Sequence, residues 1–220
     1  SLYPHVVSQD GSVSVVSTGT WVIVMSMKAG GAIALDPTRD TLVNVNAHEQ
    51  AVASARFMGG REYEVIQEGQ SIDPTEQDVT TVLDGKTMLL PSIASGSGPF
   101  QGRQMQWHGV EPDVGSGKRS AALSFYLALM TGTCLNLVGG AGPTIVEGPF
   151  ARNPEYLAML QAVTTRAVLT NAAVTGTSIG AAMLFGDDEF PLRLDQIDAA
   201  LPLDKLRNYA DQWLVLADTE

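Results

Sequence analysis

An α/β domain with a mixed central sheet is what three observations in the sequence predict. Two β-branched runs, residues 13–16 and 21–26, flank the polar turn Ser17-Thr18-Gly19-Thr20, so the chain enters its fold through an antiparallel hairpin. Residues 118–130 are apolar on nearly all sides, as in a helix buried in a core. The run 144–148 leads through a short turn into Asn153-Pro154-Glu155, a strong helix start with a favoured cap, a proline suited to the first turn and an acid for the positive end of the dipole.

The remaining elements fall into place in order. Residues 1–5 are turn-like and lead through Asp10-Gly11 to the first strand. Residues 22–25 are continuously apolar, as in a strand covered on both faces. Turns are expected at Lys28-Ala-Gly-Gly31 and Leu35-Asp-Pro-Thr38, and residues 42–46 alternate as a third strand, so the first three strands are expected to be antiparallel neighbours. Residues 54–64 carry helix formers split by Gly59-Gly60, with Arg56 and Arg61 read as solvated. Asp73-Pro74 opens a short helix. Residues 84–117, rich in Gly, Pro and Ser, form a long excursion with a short strand at 88–93 and a partly buried His108 beside Trp107. Helices are expected at 118–131, 153–163 and 177–185, a strand at 167–170, and a last helix capped by Asp204 with Leu206, Tyr209, Trp213 and Leu216 on one face.

Composition narrows the function. The 220 residues are 45% hydrophobic and 17% charged, enough to bury a core, and one domain over residues 1–220 is the default. Lys+Arg number 13 against Asp+Glu 24, a formal charge of −11. Nucleic acid is therefore not an expected partner, since its affinity rests on basic phosphate contacts. A nucleotide remains open, because backbone N–H groups and Mg2+ can hold a triphosphate in an acidic protein. The single Cys134 excludes an internal disulfide and a cysteine-cluster metal site, and fits a reducing cytoplasm. No apolar run is read as long enough to span a membrane, and no secretory signal is seen. The chain starts on Ser1 in a loop, as a domain cut from a longer protein would.

The hairpin turn offers two hydroxyls, several backbone N–H groups and a glycine that lets an anion approach the main chain. The same residue types also make plain turns. Ser17-Thr18-Gly19-Thr20-Trp21 resembles the second phosphate loop in the C-terminal domain of FGGY carbohydrate kinases, notably the rhamnulokinase and fuculokinase-like branch. Gly148-Pro149-Phe150-Ala151, ahead of Asn153, resembles that family's adenosine motif with one glycine kept. Gly139-Gly140-Ala141-Gly142 is closer to the motif as letters but is followed by β-like residues, so it stands as the alternative. Gly176-Thr-Ser-Ile-Gly-Ala-Ala resembles the family's closing helix. Lys118-Arg-Ser-Ala-Ala-Leu stands at the second signature and departs from it.

The resemblance implies an actin-like ATPase (ribonuclease H-like) domain, the C-terminal half of a two-domain sugar kinase. It assigns the β/γ-phosphates of ATP, with Mg2+, to Thr18, Gly19 and Thr20. It assigns adenosine to Gly148, Pro149, Phe150, Ala151 and Asn153, with Gly139 and Gly140 as the alternative. The catalytic Asp is expected just before Ser1 and the sugar substrate mainly in the missing N-terminal half, so the chain alone should be inactive. Neither a nucleic acid nor a membrane partner is implied, and a homodimer is left open. A non-catalytic nucleotide-binding or regulatory module of the same fold is the competing reading, and a ligand-free structural domain the third.

Overall fold

The computed structural model describes residues 12–27, 35–46, 49–171, 194–197 and 201–219. Strands β1 (Val13–Thr18) and β2 (Val22–Met27) pair antiparallel, with Thr18 opposite Val22. The tip is therefore Gly19, Thr20 and Trp21, starting two residues later than the expected turn and ending one later, and the Gly19 N–H donates to the Trp21 carbonyl at 3.0 Å. Strand β3 (Thr41–Val45) forms where expected but does not adjoin β2. Strand β4 (Ala51–Phe57) lies between them, antiparallel to both.

That strand corrects the expectation of helix formers across 54–64. Ala53, Ala55 and Phe57 alternate onto one buried face while Val52 turns to the other. Flanked by partners on both edges, the segment gains more from that burial than alanine loses by its weak strand preference. Only after Phe57 does helix α1 (Gly59–Gln67) begin.

Helix α2 (Glu76–Gly85) starts later than Asp73-Pro74 suggested. Thr75 is its N-cap, in a reciprocal capping box with Asp78, so Pro74 precedes the cap. Strand β5 (Met88–Leu90) pairs with β6 (Gln106–His108) apart from the main sheet, and His108 is exposed there rather than partly buried. Helix α3 (Gly117–Leu137), capped by Ser116, runs six residues past its expected end. At that length it is apolar enough to cross a membrane, contrary to the reading that no run is, yet nearly all of it is buried inside the fold.

Strand β7 (Thr144–Glu147) runs parallel to β1 and is followed by a three-ten turn, Pro149–Arg152, and helix α4 (Pro154–Thr164). Strand β8 (Val168–Asn171) is parallel to β7, and an unforeseen strand β9 (Leu194–Gln196) is antiparallel to β8. Helix α5 (Leu203–Thr219) has Asp204 inside its first turn rather than at the cap, and buries Leu206, Tyr209 and Trp213 as expected. The expected helix 177–185, the turn at 28–31 and the lead-in at 1–11 lie outside the described residues.

Among the described residues the main sheet has the order β3-β4-β2-β1-β7-β8-β9. Val16, Val22, Val24, Phe57 and Val146 face α3, with α4 packed on α3 and α5 packed in turn on α4, and Val13, Val15, Met27, Val52 and Ile145 cluster on the other face. Trp213 is fully buried against Phe100 and Tyr126, and its indole N–H donates to the Leu89 carbonyl at 2.7 Å, which removes the cost of hiding a polar tip. The result that matters for function is at the centre. β1 pairs antiparallel on one side and parallel on the other, and the carboxyl ends of β1 and β7 emerge together.

Candidate functional site

Ser17 is opposite Glu147 in the parallel pair, so the hairpin tip and the turn after β7 start side by side. One hydroxyl joins them. Thr18 Oγ1 donates to the Glu147 carbonyl and accepts the Phe150 N–H at 3.1 Å, and the side chain is buried. Gly148, at φ 85°, completes the join: a Cβ there would sit 2.0 Å from the Thr18 carbonyl oxygen, so no other residue fits.

Beyond these strand ends lies a groove of about 550 Å³. Gly19 and Thr20 of the hairpin tip line it, together with Gly60 at the start of α1. Pro149, Phe150, Arg152 and Asn153 line it from the three-ten turn, and Glu155 from the first turn of α4. The two segments that the sequence assigned to phosphate and adenosine thus open onto one groove. Thr18, Gly148 and Ala151 do not line it, and the first two hold its two sides together. Gly139 and Gly140 sit at the opposite end of β7, where the Gly140 N–H donates to the Leu135 carbonyl at 2.8 Å and the Gly139 carbonyl accepts from Ser26 Oγ. They are a turn away from the groove, as a glycine cluster between elements usually is.

Asn153 does two jobs at once. Its Oδ1 accepts the Tyr156 N–H at 2.9 Å, capping α4, and its Nδ2 donates to Ser124 Oγ at 2.9 Å. Ser124 and Ser120 face the groove from α3. Ser120 and Ser124, four apart and separated only by Ala121, Ala122 and Leu123, are the sequence signal for a polar strip there, since such residues share a face.

The Gly59-Gly60 pair, read as a break, is the seat of the hairpin tip. A Cβ on Gly60 would lie 2.1 Å from the Gly19 carbonyl oxygen, and one on Gly59 would lie 2.5 Å from Val22 Cγ2. Behind the pair, Glu62 is wholly buried and accepts the Ala94 N–H at 3.1 Å and the Tyr126 hydroxyl at 3.0 Å. Burial raises its carboxyl above the ordinary range, and the two hydrogen bonds draw it part of the way back. Arg56 and Arg61 are exposed, as expected. Arg56 stacks over Trp21 and pairs with Asp40, while Arg61 pairs with Glu64.

The remaining side of the groove, Ser71 to Pro74, was not foreseen as part of any site. Its charge balance is acidic: Glu64, Asp73 and Glu155 line it against Arg152 alone among the cationic side chains of the described residues. Burial raises the Glu155 carboxyl, and the charge of Asp73 raises it further. An anion here gains more from backbone N–H groups and a counter-cation than from lysine or arginine. Among the described residues no cluster of three or more His, Cys, Asp or Glu is placed to hold a metal.

The profile of the family described as carbohydrate kinase FGGY, C-terminal domain, matches residues 10–193. The chain belongs to this family. A carbohydrate kinase from Novosphingobium aromaticivorans is 34% identical and superposes with a TM-score of 0.81, over 95% of this chain and 46% of that one. Xylulose kinase from Bifidobacterium adolescentis gives 13% identity and a TM-score of 0.62, over 91% and 43%. Glycerol kinase from Plasmodium falciparum, solved with ADP, gives 11% and 0.65, over 93% and 46%. The last two likenesses are of fold, and no curated protein matches the sequence. The FGGY chain spans about half the length of these kinases. Its mixed sheet with flanking helices is the actin-like ATPase fold expected from the sequence.

Proposed function

We propose that residues 1–220 form a single domain, the ATP-binding half of a two-domain sugar kinase that moves the γ-phosphoryl of MgATP to a hydroxyl of a ketose or related sugar or polyol. The observation that carries this is the shared groove: Gly19 and Thr20 open onto the same 550 Å³ space as Pro149, Phe150 and Asn153. The volume is in the range that takes a nucleotide-sized ligand, and it lies outside the carboxyl ends of two adjacent parallel strands, where α/β sheets take ligands.

MgATP supplies the phosphoryl group. The Gly19 and Thr20 main chain and the Thr20 hydroxyl orient its β/γ-phosphates, while Thr18 positions that loop from behind. The turn 148–153 takes the adenosine, with the Asn153 cap fixing the helix start beside it. Because phosphoryl transfer rests on positioning and charge stabilisation, this rigid join of tip and turn is the chain's contribution. The base that receives the hydroxyl proton is an Asp of the other half, just upstream of Ser1, and that half also holds most of the sugar pocket. A cytoplasmic location belongs to the same reading, and a homodimer is compatible with it.

The test is ATP-dependent phosphorylation of a panel of ketoses, deoxyketoses and polyols by the full-length kinase and by this chain alone. The full-length protein should turn over at least one of them and the chain alone none. Product from the chain alone, or no turnover and no nucleotide-dependent thermal shift in the full-length protein, overturns the proposal.

A further inference from the structure

The segment before α2 has features that phosphate and adenosine binding leave unused. Tyr63 and Ser71 share a hydrogen bond of 2.6 Å between their hydroxyls, which ties the segment to α1. Ile72 is 54% exposed at the groove surface, an apolar side chain that the protein leaves about half uncovered. Asp73 lines the same groove, with Glu155 of α4 near enough for their charges to interact. Neither acid forms an ion pair with a lysine or arginine among the described residues.

Two carboxylates beside a polyphosphate repel it, so they suit only a part of the ligand that is uncharged and rich in donors. The ribose of a nucleotide presents such a part, two vicinal hydroxyls, and carboxylates accept hydroxyl protons in strong charge-assisted bonds. An acid plays this role toward a ribose 2′-hydroxyl in dinucleotide folds. We propose that Asp73 and Glu155 hold the ribose diol and that Ile72 packs against the nucleoside, so that this segment selects ribonucleotides over deoxyribonucleotides. The inference rests on the reading of the groove as an ATP site.

The experiment is calorimetric titration of the full-length kinase, wild type, Asp73→Ala and Glu155→Gln, with MgADP, the magnesium complex of 2′-deoxy-ADP and that of inosine diphosphate. Wild type should bind 2′-deoxy-ADP about tenfold more weakly than ADP, the effect of one charge-assisted hydrogen bond. In Asp73→Ala the affinity for ADP should fall by a similar factor and the deoxy penalty should shrink to about twofold. Glu155→Gln should act in the same sense, with an unchanged melting temperature. Equal losses for ADP and 2′-deoxy-ADP, no loss at all, or a wild type indifferent to the 2′-hydroxyl each overturn the assignment. A variant effect confined to inosine diphosphate against ADP would place the acids on the base and overturn it too. Failure of the kinase reading looks different: the wild type would then bind none of the three nucleotides.

Discussion

Replacing Gly60 by Ala sets two physical effects against each other with opposite signs. In an exposed helix the change stabilises by about 1 kcal/mol, because alanine loses less backbone freedom on folding. In this protein the new Cβ would lie 2.1 Å from the Gly19 carbonyl oxygen, 2.8 Å from the Gly19 carbonyl carbon and 3.0 Å from Thr20 Cα. All three are main-chain atoms, so no side chain can swing away, and either the hairpin tip or the start of α1 must move by roughly 1 Å to restore ordinary contact. Such overpacking costs about 1–3 kcal/mol. The net expectation is a loss of about 0–2 kcal/mol, with a melting temperature lowered by about 2–4 °C for each kcal/mol. The functional effect should be larger, since a displacement of about 1 Å in a positioning element can cost on the order of 100-fold in rate. Thermal unfolding and MgATP kinetics of the full-length Gly60→Ala kinase read both quantities. A variant that is more stable by about 1 kcal/mol and has normal ATP kinetics would refute the packing of α1 on the tip.

Other perturbations separate ligand contact from scaffold. A Cβ at Gly19 meets only the Trp21 carbonyl at 3.9 Å, and no left-handed backbone is needed there; Gly19→Ala should therefore leave the melting temperature unchanged while raising the KM for ATP, and normal ATP kinetics would remove the loop from the site. Thr18→Val keeps the shape but strands the Phe150 N–H, a loss of about 1–3 kcal/mol that urea titration should reveal, and an unchanged midpoint would contradict the bridging role. Glu62 has its carboxyl raised above the ordinary 4.5 by burial, so the folded state holds its proton longer than the unfolded chain does. Its stabilising contribution is complete below pH 4.5 and declines as pH rises toward the folded value. Glu62→Gln should flatten that decline in a pH series of unfolding midpoints, and an identical slope in both proteins would assign the dependence to other groups.

The legible part of the fold was the part whose residues speak for themselves locally. Val13–Thr18 and Val22–Met27 announce a hairpin by β-branching, and Asn153-Pro154-Glu155 announces α4 by its cap. Strand β4 was hidden because Ala, Ser and Arg have no strong strand preference. What makes 51–57 a strand is its place between β2 and β3, which no local window contains. The same holds for the site. Gly19, Thr20, Pro149, Phe150 and Asn153 were read from sequence and line the groove, whereas Thr18 and Gly148 prove to be its internal fastening. Gly60 and Ser71 to Asp73 were missed because their part is set by what the chain folds against, with only the Gly59-Gly60 doublet as a trace.

Among the described residues strand β3 ends the sheet, with one edge turned away from β4. Val43 and Val45, two apart on this strand, are 43% and 69% exposed. An edge strand that exposes apolar side chains invites a strand from another molecule. The practical outcome is a ceiling on concentration: the domain prepared alone should self-associate as it is concentrated. A lysine at position 45 should raise that ceiling, placing a charge where an incoming strand would have to bury it.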